Sequence, residues 1–367
     1  MNNSMDSLDI DIVYIVCVIC FLFVMAFIYY MTTQRRVKLY NDAKTNKDLF
    51  NWKDYIDLNP DIKKYVNTKD EAIDHWKNIG LKEMRLCNKK QLEVINEFGN
   101  ELVLYIPYYY YLYKKGLLFD NKITTYKGMR PFYYFIKPEN IIEKNNPREW
   151  TAIEKRNLIV NNSEHINNYD YKFWIPPPYK QHYKNDVFKY NKPLLIIHNK
   201  YNIEWRKAPI NFISESVLDD ILPMLVDKYQ IIYIRPSNKK NILDNKGFST
   251  DHNTIKEDLQ DLELIRSKYN DKVIIFDDLL EKHNYSYNEL KLMIYANCDN
   301  YVCTQGGGSH FTIYFFDKMS ILHKFGRELE RGAYTGWYLK GNDMKNKIIK
   351  VATDNNTFIN NTKLLFA

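Results

Sequence analysis

The residues with most chemistry to offer close short apolar runs in the second half of the chain: His198-Asn199-Lys200, Arg235-Pro236-Ser237, Asp277-Asp278 and Thr304-Gln305-Gly306-Gly307-Gly308-Ser309. Parallel strands would bring these ends to one rim, and ligands of open α/β sheets sit outside the carboxyl ends of the strands. Three adjacent glycines, a quarter of the 12 in the chain, stand between a strand-like run and a helix-like one. Lacking side chains, they let backbone N–H groups approach an anion, and a helix N-terminus favours negative charge. Gln305, Gly306, Gly307, Gly308 and Ser309 are therefore read as a diphosphate-binding turn, with Lys200 and Arg235 neutralising charge. The plainer alternative is a tight strand-to-helix turn with no ligand. His198 either reaches the same ligand or bonds to backbone at its strand end. Asp277 and Asp278 hold ribose or base, or cap a turn. Glu328, past the last strand, is a further ribose candidate.

Three familiar chemistries lack their residues. A dinucleotide fold wants G-x-G-x-x-G after its first strand, but Phe311 holds the third glycine position and the motif comes late. No G-x-x-x-x-G-K-[ST] occurs, which removes a P-loop NTPase. The only D-x-D is Asp9-Ile10-Asp11, far from these runs, so no metal on a diphosphate is expected, and no cofactor. Of the five cysteines, Cys17 and Cys20 lie in an apolar stretch without further ligands and read as packing rather than zinc or redox chemistry. The formal charge of +7 is modest and its lysines and arginines are interleaved with acids, which argues against a nucleic-acid partner.

The elements that must position these groups follow an α/β rhythm. Strands are expected at 194–198, 231–235, 273–276, 301–304 and 321–324, and helices at 212–228, 287–296 and after Gly306. Together they make a Rossmann-like lobe over residues 186–367. Residues 91–185 read as another α/β lobe, with strands near 92–95 and 123–129, a helix at 102–114 ending at Gly116, and Pro176-Pro177-Pro178 as a stiff exit. With 45% hydrophobic and 26% charged residues, both should bury cores. Asn, Lys, Ile and Tyr abound as in an AT-rich genome, so the run 108–111 of four tyrosines is given no functional weight. Residues 41–90 form a small helical module, with aromatic and aliphatic residues at helical intervals around the turn Asn59-Pro60-Asp61.

Residues 12–31 are almost wholly apolar and uncharged, about the ~20 residues a membrane-crossing helix needs. Acidic residues precede them and bulky Tyr29, Tyr30 and Met31 close them, unlike a cleaved signal, so residues 1–40 are expected to be an uncleaved single-pass anchor. Arg35, Arg36 and Lys38 follow at once, which places the globular part on the cytosolic side.

On these residues the region 193–340 resembles the donor-binding lobe of GT-B glycosyltransferases, especially the fucosyltransferase-like group. The resemblance lies in Ile197-His198-Asn199-Lys200 and in Thr304-Gln305-Gly306-Gly307-Gly308-Ser309-His310, with Lys200 where that group has Arg. Phe98-Gly99-Asn100-Glu101 with Pro107 resembles the first loop of heptosyltransferase-like lobes, with Asn100 where an Asp base would stand. Trp52, Tyr55, Asn59-Pro60-Asp61, His75, Trp76, Gly80, Glu83 and Arg85 are similar to a short repeat that precedes glycosyltransferase domains or recurs in bacterial surface proteins.

The resemblance implies a membrane-anchored, metal-independent glycosyltransferase, with a nucleotide sugar as substrate and a glycan or protein as acceptor. Residues 91–185 would hold the acceptor and Glu101 would be the general base. A polysaccharide pyruvyltransferase or a non-catalytic glycan-binding scaffold would share the plan.

Overall fold

In the computed structural model the described residues are 13–27, 30, 49–152, 155, 157–161, 163, 165–203, 208–236, 254–340 and 347–367. The chain divides into two compact units, Met1–Lys89 and Lys90–Ala367. Of the expected span 12–31, residues 13–27 and 30 are described; they are helical with exposed side chains, and Ile12, Ile28, Tyr29 and Met31 lie outside the described set. Among the described residues no helix is long and apolar enough to cross a membrane.

The first unit is helical from Trp52 onward. Asn51 caps Trp52–Leu58, and Thr68 with Glu71 forms a reciprocal capping box at Lys69–His75, satisfying backbone donors that have no partner inside a helix. Tyr55, Ile62, Ala72, Trp76 and Leu86 make its core. Asn59 donates to the carbonyls of Tyr55 and Leu86 at 2.7 and 2.8 Å, so the Asn-Pro-Asp turn ties the two ends of the module together. Arg85 closes it on Asp61 at 2.7 Å.

The second unit is α/β. A pair of parallel strands, β1 (Ile123–Tyr126) and β2 (Ile141–Lys144), lies in its first part. The main sheet takes β3 (Leu194–His198), β5 (Gln230–Ile234), β7 (Val273–Ile275), β8 (Asn300–Thr304), β9 (Lys318–Leu322) and β10 (Ile348–Ala352), all parallel. A short antiparallel pair, β4 (Asn202–Ile203) with β6 (Thr254–Ile255), stands beside it. The sheet order is β7-β5-β3-β8-β9-β10. In chain order that is 3-2-1-4-5-6, a doubly wound sheet whose direction of winding reverses between β3 and β8.

Every residue of β3 is buried, as a central strand covered on both faces requires. Leu195 and Ile197 share one core with Ile231, Tyr233, Val302 and Leu322 and with the helices Glu215–Leu225 and Asn355–Phe366. On the other side of β8, Tyr301 meets Tyr295 of the helix Tyr287–Ala296, and Tyr295 meets Phe311 at 4.6 Å. Strand alternation sends His198 away from the Ile197 core.

Residues 91–185 are built differently from the lobe expected there. Residues 92–95 form no strand; Glu93 makes a single bridge to Thr124. The helix expected at 102–114 begins four residues earlier, at Phe98, and passes through a wide turn at Glu101–Tyr105 before the regular stretch Ile106–Lys114. Much of the remainder is short 3-10 turns at Arg130–Tyr133, Pro138–Asn140, Ile166–Asn168 and Tyr171–Phe173. Aromatic side chains supply the core instead: Tyr108, Tyr109, Tyr110 and Tyr111 are all buried. This part shares that core with the turns that follow β8, through Phe132 on Phe311 at 5.3 Å, Tyr179 on Tyr314 at 4.8 Å, and the Tyr314 hydroxyl donating to the Leu102 carbonyl.

Candidate functional site

In doubly wound sheets the ligand crevice lies at the carboxyl ends of the strands where the winding reverses, here those of β3 and β8. Asn199, just past β3, is fully buried and fixes this end. Its N–H donates to Ile234 at 2.9 Å, its amide donates to the Ile213 carbonyl at 2.9 Å and accepts from the Ile213 N–H at 2.9 Å. The adjacent Lys200 turns outward and gives its Nζ to Gln305 Oε1 at 3.1 Å. Across the crevice, Gly306 holds φ +137°, a left-handed value that favours glycine. A Cβ there would also stand 2.9 Å from Lys200 Nζ. Gly308 opens the next turn, where a Cβ would fall 1.6 Å from His198 Cε1, so the imidazole occupies the space glycine leaves. Lys200, His198, Gln305 and the glycine turn are thus brought together as expected.

Gln305 is the hub. Its Oε1 also accepts from Asn211 Nδ2 at 2.9 Å, and its Nε2 donates to Glu328 Oε1. The other Glu328 oxygen lies 3.7 Å from His323 Nε2, and His323 Nδ1 meets the Tyr334 hydroxyl at 2.7 Å. Glu328 therefore joins the site, through the amide rather than alone. Ser309 is buried and its hydroxyl serves the turn, donating to Gly306 O at 2.8 Å while accepting from Tyr338 at 3.1 Å.

Three expected residues stand elsewhere. Arg235 is buried with its Nε 2.7 Å from Asp261, a fully buried carboxylate that also accepts from Tyr233. Burial pushes the Asp261 carboxyl up, against the Arg235 charge and the Tyr233 hydrogen bond that pull it down. The guanidinium closes that network at the end of β5. Asp277 begins the helix Phe276–Lys282 after the edge strand β7, separated from β3 by β5, and neighbouring Asp278 pairs with Arg266 at 2.7 Å. Strands spaced ~4.8 Å apart put Asp277 about 10 Å from the crevice.

Glu101 is the clearest correction. It is wholly buried, accepts from the hydroxyls of Thr125 and Tyr133, and lies 2.6 Å from the guanidinium of Arg148, itself only 2% exposed. Its oxygens face interior partners, so no acceptor can reach them. The helical turn Phe98–Asn100 just before Glu101 does reach the glycine turn, through Gly99: a Cβ there would stand 2.7 Å from His310 Nδ1 and 3.4 Å from Gly307 Cα.

Two of the histidines here, His198 and His310, are held toward the neutral form. Burial, with help from the Lys291 charge, holds His198 well below its usual range. Burial and the charges of Lys200 and His323 push His310 down to about 3. His310, Asn211 and His323 were not expected as site residues. His310 closes the glycine motif quoted above but was assigned no role there, whereas Asn211 sits in a plain loop with no local signal. Among the described residues no cluster of three or more His, Cys, Asp or Glu side chains is arranged to hold a metal ion. Comparisons with known protein families, with curated proteins and with solved structures find no match.

Proposed function

We propose that the chain is a glycosyltransferase of the GT-B type that binds the diphosphate of a nucleotide sugar between the ends of β3 and β8. The observation that carries this reading is the coincidence of the winding reversal with Lys200, Gln305 and the Gly306–Gly308 turn. In it, Lys200 and the backbone N–H groups of the turn stabilise the departing diphosphate, the role a metal takes in other glycosyltransferases, so the main gain is in leaving-group charge. Glu328, held by Gln305, meets the ribose hydroxyls, and residues 97–100 carry the acceptor side as a reduced first lobe.

The proposal extends to the N-terminus, where residues 12–31 anchor the chain and the remainder faces the cytosol. Its support is an apolar helix at 13–27 with every side chain exposed. One observation favours a second reading, glycan binding without turnover: Glu101 and Arg235 are both closed off in ion pairs, which leaves the crevice with fewer charged groups. A screen of UDP- and GDP-sugars and phosphoenolpyruvate, with transfer to glycan acceptors, tests the proposal. Transfer from a nucleotide sugar supports it, binding alone supports the second reading, and use of phosphoenolpyruvate indicates pyruvyl transfer.

A further inference from the structure

Beside the Lys200 and Gly306 locus stand two buried nitrogens that nothing among the described residues satisfies. His310 is 9% exposed and Trp337 6%, and neither His310 Nδ1 nor Trp337 Nε1 has a hydrogen-bond partner. Their rings meet edge to face at 5.3 Å, and Tyr169 flanks the indole at 6.0 Å. Buried polar atoms are nearly always paired, so two adjacent orphans call for a shared explanation. The Tyr338 hydroxyl gives its proton to Ser309 and Ser309 gives its own to Gly306, so neither has a proton left for the imidazole nitrogen.

We infer that His310 and Trp337 form a neutral hydrogen-bonding subsite for sugar hydroxyls, beside the anion locus at Lys200 and Gly306. An indole N–H only donates, while the bare nitrogen of a neutral imidazole accepts. A hydroxyl does both, so one hydroxyl, or a vicinal pair, satisfies the two nitrogens together. In the tautomer that leaves Nδ1 bare, a carboxylate or phosphate oxygen, which only accepts, would leave that nitrogen unpaired. The His310 ring is kept neutral by burial, which suits it to a neutral ligand. Gly99 covers the imidazole from the helical turn Phe98–Asn100, so the subsite lies where that turn meets the glycine turn. This deepens the nucleotide-sugar reading and rests on it.

The test uses the full-length chain with its six tryptophans labelled by fluorine, the Trp337 resonance being assigned from Trp337→Tyr. Probes are UDP, GDP, their sugar derivatives, and methyl glycosides of glucose, galactose, mannose, fucose and N-acetylglucosamine. The inference expects nucleotide sugars to shift the Trp337 resonance and nucleoside diphosphates to leave it in place. In His310→Phe, affinity for the nucleotide sugar should fall about 10-fold with diphosphate affinity unchanged. If nucleotide sugars bind without moving Trp337, or diphosphate moves it equally, the subsite is overturned and the nucleotide reading stands. If no nucleotide binds yet a glycoside moves Trp337, the nucleotide reading fails and the subsite stands. If neither class moves it and neither binds, both fall. The wild-type resonance decides these outcomes even where a variant folds poorly.

Discussion

Replacing Glu101 by Gln separates a structural carboxylate from a catalytic one. Gln keeps the size and can still bond to Thr125 and Tyr133, but it removes the charge 2.6 Å from Arg148. Arg148 is 2% exposed, and its remaining partners, the Asn96 carbonyl at 3.2 Å and the Tyr126 ring 4.0 Å away, are present in both proteins and so offset nothing. Breaking one side of a buried pair costs ~3–5 kcal/mol, because the other charge stays desolvated. At about 2 °C per kcal/mol for a unit of this size, the midpoint should fall by roughly 6–10 °C. Calorimetry on the variant measures it. Removing both charges in Glu101→Gln with Arg148→Met should recover most of the loss, since no unpaired charge stays buried and Gln still accepts from Thr125 and Tyr133. The reasoning is refuted if Glu101→Gln melts like the parent while transfer slows ~10²–10⁴-fold, the signature of a lost base.

Other outcomes follow from the same geometry. Gly308→Ala should displace the His198 ring and sharply weaken nucleotide binding, and adding His198→Ala should restore much of it, because the clash is with that ring alone among its nearest contacts; titration calorimetry on the single and double variants reads this. His198 and His310 are held below the ordinary 6.5, so the unfolded chain binds more protons below that value. Stability should therefore fall as pH drops from about 6.5 toward 3, by up to ~1.4 kcal/mol per pH unit for each histidine, and His310→Phe should remove one share of the slope in denaturant titrations between about pH 6 and 4.5. Deleting residues 1–34 should release the chain from the membrane fraction; pelleting after a high-salt wash would contradict the anchor, and protease protection of the globular part in intact vesicles would reverse its orientation.

The main sheet was legible because its strands are short β-branched runs closed by polar or glycine turns. Leu194–His198 and Tyr287–Ala296 match the expected bounds, the helix being set by its Ser286 cap. The strand Ile348–Ala352 went unmarked: it is an edge strand whose residues are mostly half-buried, so its pattern is weak. Residues 91–185 misled for a different reason. Their core comes from tyrosines on irregular turns, and such packing leaves no period to read.

The site divides in the same way. The glycine turn and Lys200 lie at strand ends, which topology alone brings together. Glu101 and Arg235 look available in sequence, but their partners Arg148 and Asp261 are distant along the chain, and only the fold reveals that they are occupied.

The most direct test of the central claim is the thermal midpoint of the full-length chain with UDP and GDP, alone and as sugar conjugates, beside Lys200→Met. The account predicts that at least one nucleotide stabilises the parent by ~2.7 kcal/mol at 100 times its Kd. The same nucleotide should do far less for Lys200→Met, whose remaining network at Gln305 still includes Asn211 and Glu328. Millimolar nucleotides that leave the parent midpoint unmoved, or that stabilise both proteins equally, would contradict a diphosphate site between β3 and β8.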